Sequence, residues 1–126
     1  MNRSFLWHLY ITFHTWLFGI PFLFFPNQVL PWLGFNTTKE PWIRVAGILF
    51  MVIGASAYSV YKHKITAMLL PSIHGRIVVV ITLLALAIPS NRLFLYIIAG
   101  IILTGVIGSA HSYYTETDRR INYMSK

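Results

Sequence analysis

The chain has 126 residues, of which 56% are apolar and only 10% are charged. A water-soluble domain of this length carries charge on roughly a quarter of its positions, so this composition cannot cover a globule with polar surface. Cysteine is absent, which excludes disulfide bonds, thiolate metal sites and thiol redox chemistry. The net charge of +7 is scattered near the ends of apolar stretches, which indicates membrane lipid headgroups as partners and no nucleic acid.

The first apolar stretch, residues 5–25, contains no charged side chain. About 20 such residues in a helix cross the roughly 30 Å hydrocarbon layer, and no small-residue cleavage site follows, so we expect a retained membrane span. A polar stripe recurs along it at helical spacing, which predicts that this face points into a bundle. The stripe consists of Ser4, His8, Thr12, Thr15 and Gly19.

Three prolines and several polar residues break the pattern over residues 26–41. The apolar run at 29–35 predicts a segment that lies along the membrane interface, with Trp32 and Trp42 at headgroup depth. A second span then covers residues 42–61. Gly47 and Gly54 give it a small-residue face that suits close helix packing.

A basic turn at 62–64 precedes the third span, residues 66–88. Its helix either begins near Ser72 and leaves Arg76 at the boundary, or begins earlier and carries Arg76 into the membrane. The fourth span covers 93–111, and a polar C-terminal tail covers 115–126. Small residues recur every four positions along the fourth span and predict a second packing face. These are Gly100, Thr104, Gly108 and Ser112.

The spans together predict an all-α protein, an integral membrane four-helix bundle in one domain over residues 1–126. Similar Ala, Gly and Ile patterns at 46–56 and 99–110 leave open a second description, two fused helical hairpins, although such residues are common in all membrane helices. Basic residues dominate one side, which predicts that the N- and C-termini are cytoplasmic. That side carries Arg3, Lys62, Lys64, Arg119, Arg120 and Lys126, against Lys39 and Arg92 on the other.

Arginines inside or beside the spans are the candidates for binding. An unpaired arginine at the centre of a membrane helix costs about 2.5–3.5 kcal/mol, and no Asp or Glu lies in any span to pair with Arg76. Tyrosine hydroxyls, backbone carbonyls, water or an anionic ligand would have to compensate it. Arg44 either reaches outward to lipid phosphate or points into the bundle. We predict a site for a lipid or amphipathic anion formed by Arg44, Arg76, His8, Thr12, Tyr58 and His111.

Two further functions stay open from the sequence. His8, His74 and His111 are expected at similar depth, and imidazole ligates haem and metals, so a haem- or metal-binding subunit of a membrane oxidoreductase is one alternative. A small-molecule transporter is the other. No carboxylate accompanies these histidines, so no cofactor and no metal site are predicted. The lack of catalytic motifs favours a non-enzymatic role, with a homo-oligomer or a larger membrane complex as the assembly.

Three short motifs point to a known family. Leu33–Gly34–Phe35 in the outer loop, the run Trp-Ile-Arg-Val-Ala-Gly at 42–47, and Gly75–Arg76 at the opening of the third apolar stretch resemble the DoxX-like group of small bacterial four-helix membrane proteins. The resemblance covers most of the chain. It implies a four-helix bundle in the bacterial inner membrane, with Arg44 and Arg76 directed inward. Members of this group are mostly uncharacterised or described as accessory subunits of oxidoreductases, so the resemblance does not settle an activity. Distant sterol-binding relatives use intramembrane acids, which this chain lacks.

Overall fold

The computed structural model describes residues 2–39 and 41–125, which form helices and no strand, so the predicted all-α class is confirmed. Four helices are long: α1 spans Asn2–Phe24, α3 Trp42–His63, α4 Leu69–Ser90 and α5 Leu93–Met124. A short helix, α2, covers Pro26–Val29 between the first two, and 3-10 turns cover Leu30–Leu33 and Thr66–Met68.

Membrane-spanning capacity differs among the long helices. Within the described residues, α3, α5 and the continuous segment Thr66–Ser90 are each long and apolar enough to cross a bilayer. α1 meets this condition only together with Pro26–Leu33, a segment bent from it by 109°. The chain thus has three candidate spans, or four if the bent pair is one span. α1 carries the polar stripe predicted from the sequence.

The packing of the long helices leaves one side open. α1 lies centrally and packs along α3 on one side and α5 on the other, while α4 packs against α5. Direct contact between α3 and α4 is slight at most. The strongest pairs, α1 with α3 and α4 with α5, are thus two antiparallel hairpins, whose common origin stays a prediction. Every member of the predicted α1 stripe is buried, which confirms that this face points into the protein.

Glycines bring α1 and α3 into backbone contact. A side-chain carbon on Gly47 would lie 2.7 Å from the amide nitrogen of Leu23 and 2.9 Å from the carbonyl oxygen of Gly19, so no larger residue fits there without moving the backbone. Gly54 likewise lies directly beneath the indole of Trp16. The small-residue face predicted for the second span is confirmed, and close van der Waals contact is what holds helices together in lipid.

The small-residue stripe predicted on α5 is only half correct. Gly108 lies under the indole of Trp7, which also donates a 3.0 Å hydrogen bond to the hydroxyl of Ser112. Gly100, by contrast, has open space around it, and Thr104 is exposed. Residues four apart rotate by about 40° around a helix, so the stripe turns about 120° along its length and only its last part faces α1.

The predicted polar tail continues α5 as a helix. Its 32 residues are about 48 Å long, so the helix projects beyond a roughly 30 Å hydrocarbon layer. In the projecting part, the Glu116 carboxylate accepts hydrogen bonds from the Arg3 amide (2.9 Å), the Ser4 amide (3.4 Å) and the Ser4 hydroxyl (2.6 Å). It caps free amides at the start of α1, where the helix dipole favours an anion. We call the end of the molecule marked by Arg3, Lys64 and Glu116 the terminal end.

Changing Glu116 to glutamine is expected to lower the free energy of unfolding by about 1 kcal/mol near neutral pH, because this cap loses its charge. Burial alone would raise the pKa of Glu116, but hydrogen bonds from Ser4 and Arg3 outweigh burial and lower this pKa below its ordinary value. The cap therefore stabilises the fold above the ordinary glutamate range and is lost as the pH falls through the lower, folded-state pKa.

Unfolding of both proteins in detergent micelles, followed by tryptophan fluorescence from about pH 3 to about pH 7, measures this effect. The difference in the free energy of unfolding between wild type and E116Q should disappear at acid pH. A difference that stays constant across that range would show that the charge of the cap does not matter.

The opposite end is tied together through the outer loop. Arg92, in the turn between α4 and α5, donates a hydrogen bond to the carbonyl of Gly34 and lies 5.5 Å from the centre of the Phe35 ring. Gly34 has a φ of 80°, a left-handed conformation that ends the 3-10 turn and that glycine adopts without strain. Trp32 is 87% exposed beside it. We call the end marked by Gly34 and Arg92 the loop end.

Candidate ligand-binding groove

Arg76 is partly buried, two turns into α4. The helix begins at Leu69 and not at Ser72, so the early start considered from the sequence is the one observed. The Arg76 Nε donates to the carbonyl of Ser72 (3.1 Å), and Nη2 donates to the hydroxyl of Ser109 on α5 (2.9 Å). Ser109 in turn donates to the Gly105 carbonyl (2.7 Å), which fixes its hydroxyl as an acceptor for the arginine.

The third guanidinium nitrogen has no such partner. Arg76 Nη1 is buried and makes no hydrogen bond within the described residues. Nη1 lies beside Gly105, which has no side chain. A side-chain carbon added at Gly105 would lie 3.4 Å from this nitrogen and 2.9 Å from the Tyr10 ring. Leaving a buried charged donor unsatisfied costs at least about 1–3 kcal/mol, so this atom lies where an acceptor is missing.

A second unsatisfied atom belongs to α1. The His8 side chain is only 2% exposed, and its Nε2 is buried with no hydrogen-bond partner in the described part of the chain. Its Nδ1 lies 3.3 Å from the backbone carbonyl of Ser4. Because a carbonyl only accepts, this contact places the proton on Nδ1 and leaves Nε2 as an acceptor in the neutral ring.

Arg76 and His8 line one groove, which lies where α3 and α4 fail to meet. It has a volume of about 390 Å³, within the range of small-molecule sites. His8 and Ile11 of α1 contribute to it from between the two flanking helices, and the remaining lining is mainly apolar. From α3 come Val52, Ile53, Ser56, Ala57 and Val60, and from the α4 side come Met68, Ser72, Gly75, Arg76 and Val79.

The groove is positive and open to the surroundings. Arg76 is the one charged residue among its described lining residues, and no carboxylate lines it. Val52, Ile53 and Val79 at its edges are 56%, 50% and 45% exposed, so its apolar lining continues onto the outer surface of the helices. Two of its lining residues, Arg76 and His8, each hold a buried polar atom without a hydrogen-bond partner in the described residues.

The other residues predicted for the site lie elsewhere. The Thr12 hydroxyl donates to the carbonyls of His8 (2.9 Å) and Gly54 (3.1 Å), so it joins α1 to α3. Tyr58 is exposed, and His111 is exposed beside a depression at the terminal end. Arg44 is exposed near the loop end, which corresponds to the outward alternative and not to the inward direction that the family resemblance implies.

The histidines proposed for haem or metal do not form a cluster. His74 and His111 are exposed while His8 is buried. In residues 2–39 and 41–125, no group of three or more His, Asp or Glu side chains could hold a metal ion.

Comparisons with known proteins do not assign this chain to a family. No family model, no curated protein and no solved structure matches this chain. The DoxX-like resemblance therefore stays a prediction, and the groove must be interpreted from its own chemistry.

The sequence did not predict that Ser72 and Ser109 contact Arg76, or that His14 is buried. Ser109 and Gly105 lie four residues apart on a stripe beside the one we singled out, and that spacing was the available signal. The Ser72 carbonyl is a backbone group and has no signal in the sequence. His14 is also buried, with its Nδ1 2.8 Å from the Tyr10 carbonyl, although it lies off the polar stripe of α1.

Proposed function

We propose that this protein is a non-enzymatic membrane protein that binds a lipid or another amphipathic anion in the α3–α4 groove. In this proposal α1, α3, α4 and α5 form a four-helix bundle in the bacterial inner membrane. The terminal end faces the cytoplasm because Arg3, Lys62, Lys64, Arg119 and Arg120 lie there. The protein acts by itself or as a DoxX-like accessory subunit of a larger membrane complex.

One observation carries the binding proposal: the two residues that hold a buried polar atom without a partner, Arg76 and His8, both line a single apolar groove. Arg76 Nη1 and His8 Nε2 are the buried side-chain polar atoms without a hydrogen bond in the described residues. A cationic donor left open beside apolar walls matches a molecule with an anionic headgroup and a hydrocarbon tail. The chain supplies no carboxylate for Arg76, so an external anion would complete its hydrogen bonds.

The route of entry supports a ligand from the bilayer. The groove opens between two helices that contact each other only slightly, and its rim is made of exposed apolar side chains. In a membrane those side chains face acyl chains, so a lipid-like molecule can slide in sideways with its tail still in hydrocarbon. Its headgroup then reaches Arg76. Arg76 lies about 10 Å along α4 from the start of the helix, since it is seven residues beyond Leu69 and each residue rises about 1.5 Å.

Titration of the full chain, purified in dodecyl maltoside, with two amphiphiles of equal tail length tests the proposal. Dodecyl phosphate is expected to bind at one site per chain in native mass spectrometry and calorimetry. Dodecyltrimethylammonium, which repeats the tail with the opposite charge, is expected not to bind. Equal binding of both would show that the groove recognises only the apolar tail, and this would overturn the proposal. A haem band in the absorbance spectrum of the purified protein would favour the haem-binding alternative and would also overturn the proposal.

A further inference from the structure

A basic cavity at the terminal end lies apart from the α3–α4 groove and shares no lining residue with it. It has a volume of about 430 Å³ and lies between the start of α1 and the polar extension of α5. α1 contributes Arg3, and α5 contributes His111, Glu116, Arg119 and Arg120. We call it the terminal cavity. Its lining is a cluster of charged groups that the groove does not use.

The charges of the terminal cavity favour an anion. Glu116 is the one carboxylate among its described lining residues, and it already accepts hydrogen bonds from the Arg3 amide (2.9 Å) and the Ser4 hydroxyl (2.6 Å). The Arg3, Arg119 and Arg120 side chains are exposed and have no hydrogen bond or ion pair within residues 2–39 and 41–125. Three arginines against one carboxylate give the lining a net charge of +2, apart from His111. Guanidinium groups bind oxyanions through paired hydrogen bonds, so these arginines suit a phosphate or a carboxylate.

The length of α5 places the terminal cavity at the membrane surface. The apolar part of α5 begins at Leu93, directly after Arg92, and Tyr113 lies 20 residues further on. At 1.5 Å per residue this distance is about 30 Å, the thickness of the hydrocarbon layer. Arg119 and Arg120 lie about 10 Å beyond it, and helix side chains lean toward the helix N-terminus, which for α5 is the direction of the membrane. The most concentrated oxyanions at this depth are the phosphates of lipid headgroups.

We infer that the terminal cavity binds the headgroup of an anionic phospholipid, with the phosphate between Arg3 of α1 and Arg119 and Arg120 of α5. This is a second site, and it does not depend on anion binding in the α3–α4 groove. Exposed ion pairs are individually weak, so a dilute amphiphile such as dodecyl phosphate in detergent is not expected to fill the cavity. In a bilayer the headgroups are at far higher local concentration and fill it.

Crosslinking in lipid nanodiscs tests this site. The full chain is placed in phosphatidylcholine nanodiscs that contain a trace of phosphatidylglycerol with a photoreactive diazirine on its glycerol headgroup. Replacing part of the phosphatidylcholine by unlabelled phosphatidylglycerol is expected to lower crosslinking to residues 111–123 at least about threefold. Phosphatidylethanolamine, which is zwitterionic, should not lower it. Crosslinks around Trp32 at the loop end are the internal reference, since both leaflets of a nanodisc have the same composition.

A pair of double variants separates the cavity from the general positive charge of the terminal end. R119Q/R120Q removes two cations from the cavity and should lower crosslinking to residues 111–123 at least about fivefold. K62Q/K64Q removes the same charge at the same end from residues that do not line the cavity, and its crosslinking should stay within about twofold of wild type. All four side chains are exposed, so neither variant removes a buried contact.

Several results would overturn the inference. Equal losses in the two double variants would assign the attraction to diffuse surface charge. Crosslinks at 111–123 that unlabelled phosphatidylglycerol does not lower would show that no headgroup is selected there. Inorganic phosphate that competes as well as phosphatidylglycerol, at constant ionic strength, would identify a free phosphate in place of a lipid. The R76M protein should keep these crosslinks, and their loss would tie them to the groove. Failure of dodecyl phosphate to bind the groove leaves this site untouched.

Discussion

Changing Arg76 to methionine is expected to weaken dodecyl phosphate binding by about 10- to 100-fold, the equivalent of a charged hydrogen bond of about 1.5–3 kcal/mol. Methionine keeps the length of the side chain and removes the charge. The unliganded variant should also be more stable than wild type, by about 0.5–2 kcal/mol, because a buried cation with an unsatisfied donor is replaced by an apolar group. Calorimetric titration measures the first effect, and unfolding in micelles measures the second.

Arg44→Met is the matched control for that experiment. It removes the same charge from an exposed position near the loop end, away from the groove. Its affinity for dodecyl phosphate should stay within about twofold of wild type, since it removes no contact in the groove. An R44M protein that loses as much affinity as R76M would mean that overall charge, and not the groove, attracts the anion.

Changing Gly47 to alanine is expected to lower the free energy of unfolding by about 1–3 kcal/mol, through overpacking at the contact of α1 with α3. The new carbon would lie 2.7 Å from the Leu23 amide nitrogen and 2.9 Å from the Gly19 carbonyl oxygen, and both are backbone atoms that cannot rotate away. α1 and α3 must move apart, and contact with lipid does not compensate for the van der Waals contact that they lose. Unfolding in mixed micelles, followed through Trp7 and Trp16, reports the change.

Gly100→Ala provides the comparison within one chain. Nothing lies within 4 Å of an added carbon there, and alanine is about 1 kcal/mol better than glycine in a helix interior. The G100A protein should therefore be as stable as wild type or more stable. Both substitutions gain the same helix propensity, so the difference between them isolates the packing contact. Equal stabilities for G47A and G100A would refute the tight contact at Gly47.

The positions of the helices could be predicted from the charged residues and apolar runs, but the residues at which the helices end could not. The second predicted span, 42–61, is α3 at Trp42–His63, since a basic turn ends both the apolar run and the helix. The fourth, 93–111, is the first part of α5, which continues to Met124. Hydropathy locates the edge of the membrane and says nothing about where a polar helix stops. The Glu116 contact with Arg3 and Ser4 shows what holds the extension in place.

Burial could be predicted where a polar residue lies among apolar ones. Arg76 was singled out because lipid tolerates a charge poorly, and His8 because it lies on the polar stripe of α1; Arg76 is partly buried and His8 is buried. Arg44 could not be assigned in the same way, because a residue near a span end can reach the interface from any face of the helix. The gap between α3 and α4 depends on which helices pack together, and single-helix periodicity does not contain that information.

The central claim is that an anionic amphiphile lies between α3 and α4 with its headgroup at Arg76. A dodecyl phosphate analogue with a photoreactive diazirine in its tail, followed by peptide mass spectrometry, locates the bound chain directly. We predict crosslinks in the α3 segment 52–60 and in the segment 68–79 around the start of α4, removed by excess dodecyl phosphate and by R76M. Crosslinks concentrated on the exposed face of α5, at Ile97 and Ile107, and unaffected by either treatment, would contradict the account.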